Sequence, residues 1–138
     1  MSPDTLLDDW RSGAPKLALT LAGLRLRKTM PSLFADGAYI PLQATGPAAR
    51  HVVAFARRSQ AGVALVVVPR FVLELAGNLD QPQVPARCWN DTAIGLPEEW
   101  GVLQIRNAVT GAVHDVDREI SVSTLLHSFP VALLIKTP

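Results

Sequence analysis

The run Val63-Ala-Leu-Val-Val-Val68 constrains the fold more than any other stretch. It is apolar on both faces of a strand, and such a strand has to lie in the middle of a structure covered on both sides. Pro69 stops it, because proline has no N–H to give the ladder. A second apolar run, Val52–Ala56, precedes it across the polar stretch Arg57–Gly62. Both runs are too short for a typical helix and rich in β-branched residues, so they read as strands. A loop of about six residues with Gly62 near its end suits an antiparallel hairpin. Alternation puts Val53 and Phe55 on one face and Val52, Ala54 and Ala56 on the other. The bulkier pair is expected in the sheet core with Leu65 and Val67. Residues His51 to Arg70 are scaffold, and nothing in them carries chemistry.

Around that hairpin the chain has 138 residues. That is enough for one domain, or one domain with an appendage, and for a core without disulfides. The single cysteine, Cys88, excludes an internal disulfide and suits a reducing compartment. No segment approaches the roughly 18 apolar residues of a membrane span. The N-terminus, MSPDTLLDDW, is acidic and lacks the order of a signal peptide, so a cytoplasmic location is expected. A net charge of +1 gives no electrostatic footprint for nucleic acid. Charged residues are only 18% and apolar residues reach 49%. That balance is oilier than an ordinary small domain and points to a buried partner surface.

Ahead of the strands lie two helical stretches. Ser2-Pro3 reads as an N-cap followed by proline at the first helical position, with Asp4 in the first turn. Leu6, Leu7 and Trp10 share one side of this short helix, and Gly13 is its expected stop. Pro15 opens a second helix, Lys16–Met30. Helical spacing places Leu17, Leu21 and Leu24 on one stripe and Leu19, Ala22 and Leu26 on another, roughly opposite. One small domain covers only one stripe, so this helix is expected to sit between two bodies.

Beyond Pro31 and the Asp36-Gly37 turn, the pattern predicts strands at Ala38–Leu42 and Thr92–Leu96. It predicts a hairpin of Val102–Val109 with Ala112–Val116 about Thr110-Gly111, and a buried strand at Val131–Ile135. Helical turns are expected at Phe71–Leu75 and Ser121–Ser128, with residues 77–91 as loop. The fold class is mainly β: an antiparallel β-sandwich preceded by two N-terminal α-helices.

Candidate chemistry is sparse. His51, His114 and His127 are far apart in sequence, with no i,i+4 partners or nearby cysteines, so no metal site is expected. Cys88 has no evident base and reads as a structural cysteine. Asp115 and Asp117 alternate on a strand edge and Glu98-Glu99 are adjacent in a loop. Carboxylate pairs can flank a glycosidic bond, but solvation explains these better. Trp89 and Trp100 are candidates for stacking on sugar rings, against the plainer reading of core or interface residues. No catalytic, cofactor-binding or metal-binding residue is assigned.

The order of the pieces carries a resemblance. LRLRKTMPSLFADGAYIPL (24–42), HVVAFARR (51–58), VVVPR (66–70), CWNDTAIGLP (88–97), VTG (109–111) and SFPVALL (128–134) resemble the C-terminal region of the maltooligosyl trehalose synthase family. That family falls among the α-amylase-type glycoside hydrolases. The resemblance runs from Leu7 to Leu134. Its Phe34-Ala-Asp-Gly-Ala-Tyr39 link is of the α-amylase type, and Trp89, Asp91, Thr92 and Phe129-Pro-Val point to the trehalose-forming branch.

The resemblance implies an intramolecular transglucosylase that converts the reducing-end α-1,4 link of a maltooligosaccharide into a terminal α,α-1,1 trehalose unit. The family's two carboxylates act on a (β/α)8 barrel. None of the barrel's motifs occurs here, so no catalytic residue carries over. The implied division is residues 1–37 as closing helices of the barrel and 38–138 as the C-terminal β-sandwich. The chain is thus expected to be inactive alone, its partner the missing barrel, with possible self-association through the N-terminal helices. The alternative is a stand-alone carbohydrate-binding β-sandwich. No cofactor, nucleic acid or membrane is expected.

Overall fold

The computed structural model describes residues 2–136. Helix α1, Pro3–Asp8, begins as expected. The Thr5 N–H donates to Ser2 Oγ at 3.3 Å. Pro3 fills the first helical position, where its missing N–H costs nothing. Trp10 lies beyond α1, in a 3-10 turn that closes on Gly13 in the left-handed conformation. Helix α2 spans Ala14–Thr29. Pro31 ends α2 but also opens a third, short helix, α3, Pro31–Ala35, because proline at the first helical position loses no hydrogen bond. Gly37 follows. A Cβ there would run into the carbonyl oxygens of Leu33 and Arg58, so only glycine lets the chain pass from α3 into the first strand.

The described residues hold nine strands: β1 Ala38–Pro41, β2 Ala44–Thr45, β3 Val52–Ser59, β4 Gly62–Pro69, β5 Ala93–Gly95, β6 Val102–Asn107, β7 Val113–Asp117, β8 Glu119–Ser121 and β9 Ala132–Lys136. Helical turns α4, Val72–Ala76, and α5, Val122–Leu125, lie between them. The strands are antiparallel neighbours in the order β1-β3-β4-β9-β6-β7-β8-β5-β2. One bridge pair, Asp117↔Glu119, joins β7 to β8, with Arg118 at φ 68 between them. At that corner the ladder splits into two layers, β1-β3-β4-β9-β6-β7 and β8-β5-β2, as a β-sandwich requires. Ile94, Leu96 and Ile120 from the smaller layer share one core with Leu65, Val67, Ile105 and Leu134 from the larger.

Three details of the hairpin differ from expectation. The connection is two residues, Gln60-Ala61, because Ser59 pairs with Gly62. The Ser59 hydroxyl accepts the Ala61 N–H at 3.0 Å, so Arg57 and Arg58 extend the strand and do not belong to a loop. The inward face of β3 is Val52, Ala54 and Ala56, all buried. Val53 is 37% exposed and Phe55 is half-buried, so neither belongs to the core as expected, although Leu65 and Val67 do. Trp89, Leu65, Ile105 and Leu134 fill the interior from elsewhere in the chain, and β3 contributes small residues between them.

On the outward face of the larger layer sit α2 and α3. Leu33, Ala64 and Ile135 form a second buried cluster there, supported by Leu26, Met30 and Phe34. The Arg57 guanidinium donates to the Phe34 carbonyl oxygen at 3.0 Å. Farther along the same face, Phe55 lies against Tyr39 with ring centroids 5.0 Å apart.

Candidate functional site

Helix α2 has no fully buried residue. Leu19, Ala22 and Leu26 are half-buried, and a Cβ added at Gly23 would touch Leu133, so this side meets the sheet. The other stripe is bare: Leu17 is 60% exposed, Leu21 42% and Leu24 54%. Helix α1 folds back far enough to bury Leu6, yet it does not cover the stripe. Leu6, Leu17, Leu21, Arg25, Ala108 and Val109 line an open, mainly apolar groove of about 320 Å³. Every charged residue of α2 is basic: Lys16, Arg25, Arg27 and Lys28. A leucine stripe beside basic residues fits a partner surface that is apolar with an acidic rim.

The residues singled out for chemistry are mostly dispersed. His51 is buried, with Nδ1 3.2 Å from the Arg70 carbonyl oxygen, and its own carbonyl accepts the Arg70 N–H at 2.7 Å. It ties the start of β3 to the end of β4. Cys88 is a free, half-buried thiol packed against the core. Asp115 and Asp117 are exposed on β7, and Asp115 accepts a hydrogen bond from Gln104 Nε2 at 3.0 Å. Glu98 and Glu99 are also surface residues, Glu98 lying 3.4 Å from Arg118. Trp89 is 0% exposed, so it has no free face for a sugar. Trp100 is half-buried, with the Arg58 guanidinium 5.2 Å from its ring centroid. Among the described residues, no group of three or more His, Cys, Asp or Glu is placed to hold a metal ion. No helix there is long and apolar enough to cross a membrane.

One pairing was not visible in the sequence. His114, on β7, and His127, beyond α5, line the same cavity, together with the buried Asn107. The signal for Asn107 was the Thr110-Gly111 turn: an asparagine three residues before such a turn caps its backbone N–H groups.

No family model matches the chain. Two relatives from Mycobacterium tuberculosis strains, each assigned as a maltooligosyl trehalose synthase, are 35% identical over 123 residues. The match takes 88% of this chain and 14% of each relative. The solved maltooligosyltrehalose synthase from Arthrobacter ramosus superposes with a TM-score of 0.67 at 32% identity, over 91% of this chain and 14% of that one. A mutant of the same enzyme gives a TM-score of 0.67 at 31% identity. The chain therefore spans about 14% of the length of the proteins it matches. In sequence and in fold, it is similar to the C-terminal region of maltooligosyl trehalose synthases.

Proposed function

We propose that this chain is a non-catalytic C-terminal domain of a maltooligosyl trehalose synthase, and that it supports a catalytic barrel through helix α2. The observation that carries this reading is the bare stripe of Leu17, Leu21 and Leu24 on a helix whose other side already packs on the sandwich. Residues 1–37 then form the seam, and 38–138 the domain that stiffens it. Covering a few hundred Å² of apolar surface at about 25 cal/mol per Å² is worth several kcal/mol before association costs. The parent reaction, by this reading, is the intramolecular transfer that makes a terminal trehalose unit, with its carboxylates on the barrel. The chain alone neither hydrolyses nor isomerises maltooligosaccharides. A cytoplasmic location goes with this reading.

The rival, a carbohydrate-binding module built on Trp89 and Trp100, loses its main platform because Trp89 is sealed in the core.

The test uses the Arthrobacter ramosus enzyme produced without the segment this chain resembles. Mixed with that protein, the chain should co-elute in gel filtration and restore trehalosyl product from maltooligosaccharide. The double variant Leu17→Glu, Leu21→Glu should do neither while staying folded. Absence of both co-elution and restored product with the unaltered chain would overturn the reading, as would trehalosyl product from the chain alone.

A further inference from the structure

Helices α2 and α3 cover only part of the outward face of the larger layer. Leu133 lies beside Gly23 of α2, and Ala64 is sealed with Leu33 of α3. Beyond them the cover ends. Val66 pairs with Leu133, Phe55 with Val66, and Pro41 with Phe55, so these side chains run in a row across the sheet. Val53 and Val68 make the next outward pair, and Tyr39 stands opposite Arg57 on the other side of the row. Phe55, Val66 and Val68 are half-buried, while Pro41, Val53 and Tyr39 are exposed. Tyr39 keeps 57% of its surface open although its ring packs on Phe55. A strand as apolar as β4 on both faces needs cover on both sides. On this side the described residues leave Val66 and Val68 half open.

Arg57, at the margin of this patch, says what kind of surface fits it. The side chain is half-buried, Nη2 is pinned on the Phe34 carbonyl oxygen, and Nε is sealed with no acceptor. Among the described residues no carboxylate pairs with it. A partly desolvated cation, already fixed and without a counter-charge, suits a carboxylate brought by another surface. Tyrosine and arginine beside apolar side chains are also the composition of an interface centre. A second copy of the chain does not fit. The patch carries a cation and no acid, so a two-fold pairing would leave both copies of Arg57 unmatched. The patch is continuous with α2, whose bare stripe points out of the same side of the sheet because the opposite side of that helix lies on it. This chain matches only 14% of each relative, so those proteins carry a large further body joined to this fold. We propose that the catalytic barrel invoked for α2 also seats on this sheet face, with apolar surface on Tyr39, Val53 and Phe55 and one of its carboxylates on Arg57. This rests on the reading of α2 given above and makes the seam two-walled, helix and sheet.

Tyr39 is the one tyrosine in the sequence, so its ring is a direct probe of this face. The chain is treated with tetranitromethane, alone and mixed with the Arthrobacter ramosus enzyme produced without the segment this chain resembles. Nitration of the Tyr39 peptide is followed by mass spectrometry. The free chain should be nitrated readily, and the co-eluting complex should be protected. Tyr39→Ser and Arg57→Gln, each shown folded by circular dichroism, should bind the shortened enzyme about tenfold more weakly. A complex that forms while Tyr39 stays as reactive as in the free chain, with both variants binding unchanged, would overturn this proposal and leave the α2 reading standing. No complex with the unaltered chain would overturn both. Protection of Tyr39 that rises with concentration of the chain alone would assign the face to a second copy and overturn the proposal as well.

Discussion

The sandwich interior and helix α2 are both rich in aliphatic side chains, yet they are finished to different degrees. Inside the sandwich, Trp89, Ile94, Ile105, Leu134 and Val67 are sealed from solvent by two layers of the same chain. On α2 not one residue is sealed, and three leucines face outward. Similar composition therefore hides two roles. The interior satisfies itself, and mutation there should be felt as lost stability. The helix waits for cover, and mutation there should be felt as lost association.

The largest effect should come from Leu134→Ala, which empties space between the layers and should cost about 2–5 kcal/mol in guanidinium unfolding. A cost below about 1 kcal/mol would place the stability centre outside the sandwich and break the comparison.

Phe55→Ala should fall between the two regions. Its ring is half-buried against Tyr39 on the outward face. The cost should therefore be about 1–2 kcal/mol, below the range of about 3–5 kcal/mol for a fully buried phenylalanine. A value near the upper figure would show that the outward face is more tightly covered than the geometry allows.

The smallest stability change should be that of the triple variant Leu17→Ser, Leu21→Ser, Leu24→Ser. These exposed sites should each shift stability by less than about 0.5 kcal/mol. The solution behaviour should change instead. With no barrel present to cover the bare stripe, the unaltered chain is expected to self-associate through it, and the variant should sediment as a monomer. An unaltered chain that stays monomeric to roughly 0.1 mM, well above a micromolar dissociation constant, would remove self-association from the account.

Much of this architecture was legible in the residues. Ser2 and the apolar run Val63–Val68 announce a cap and a central strand by local chemistry, and the structure uses both so, whereas Gly13, expected to stop the first helix, closes a separate 3-10 turn beyond the end of α1 at Asp8. The two stripes of α2 were equally plain, but their assignment was not. Leu19, Ala22 and Leu26 lie on the side that meets the sheet, where Gly23 comes beside Leu133, a contact no helical period encodes. The inward face of β3 misled for a related reason. Alternation separates Val53 and Phe55 from Ala54 and Ala56 but does not say which pair turns inward. That was decided by bulky residues far off in sequence. The two-residue β2 and three-residue β8 carry too few positions for any period. As for the cavity, His114 and His127 line it together only because the fold brings the segment after α5 near β7. Sequence separation contains no trace of that.

The position of β9 has a consequence for how the protein is made. This strand lies between β4 and β6, where Leu133 faces Val66 and Lys136 faces Ile105. A ribosome delivers the β3–β4 hairpin roughly half a chain before it delivers β9. During that interval the β4 edge is open along a run of valines, the kind of edge that pairs with a neighbour on another nascent chain. Closing the gap is also a slow, non-local search, since the intervening loop must be gathered before any contact repays it. Production at low temperature, or with chaperones that shield strand edges, should therefore raise the soluble yield of this chain more than any surface substitution on α2.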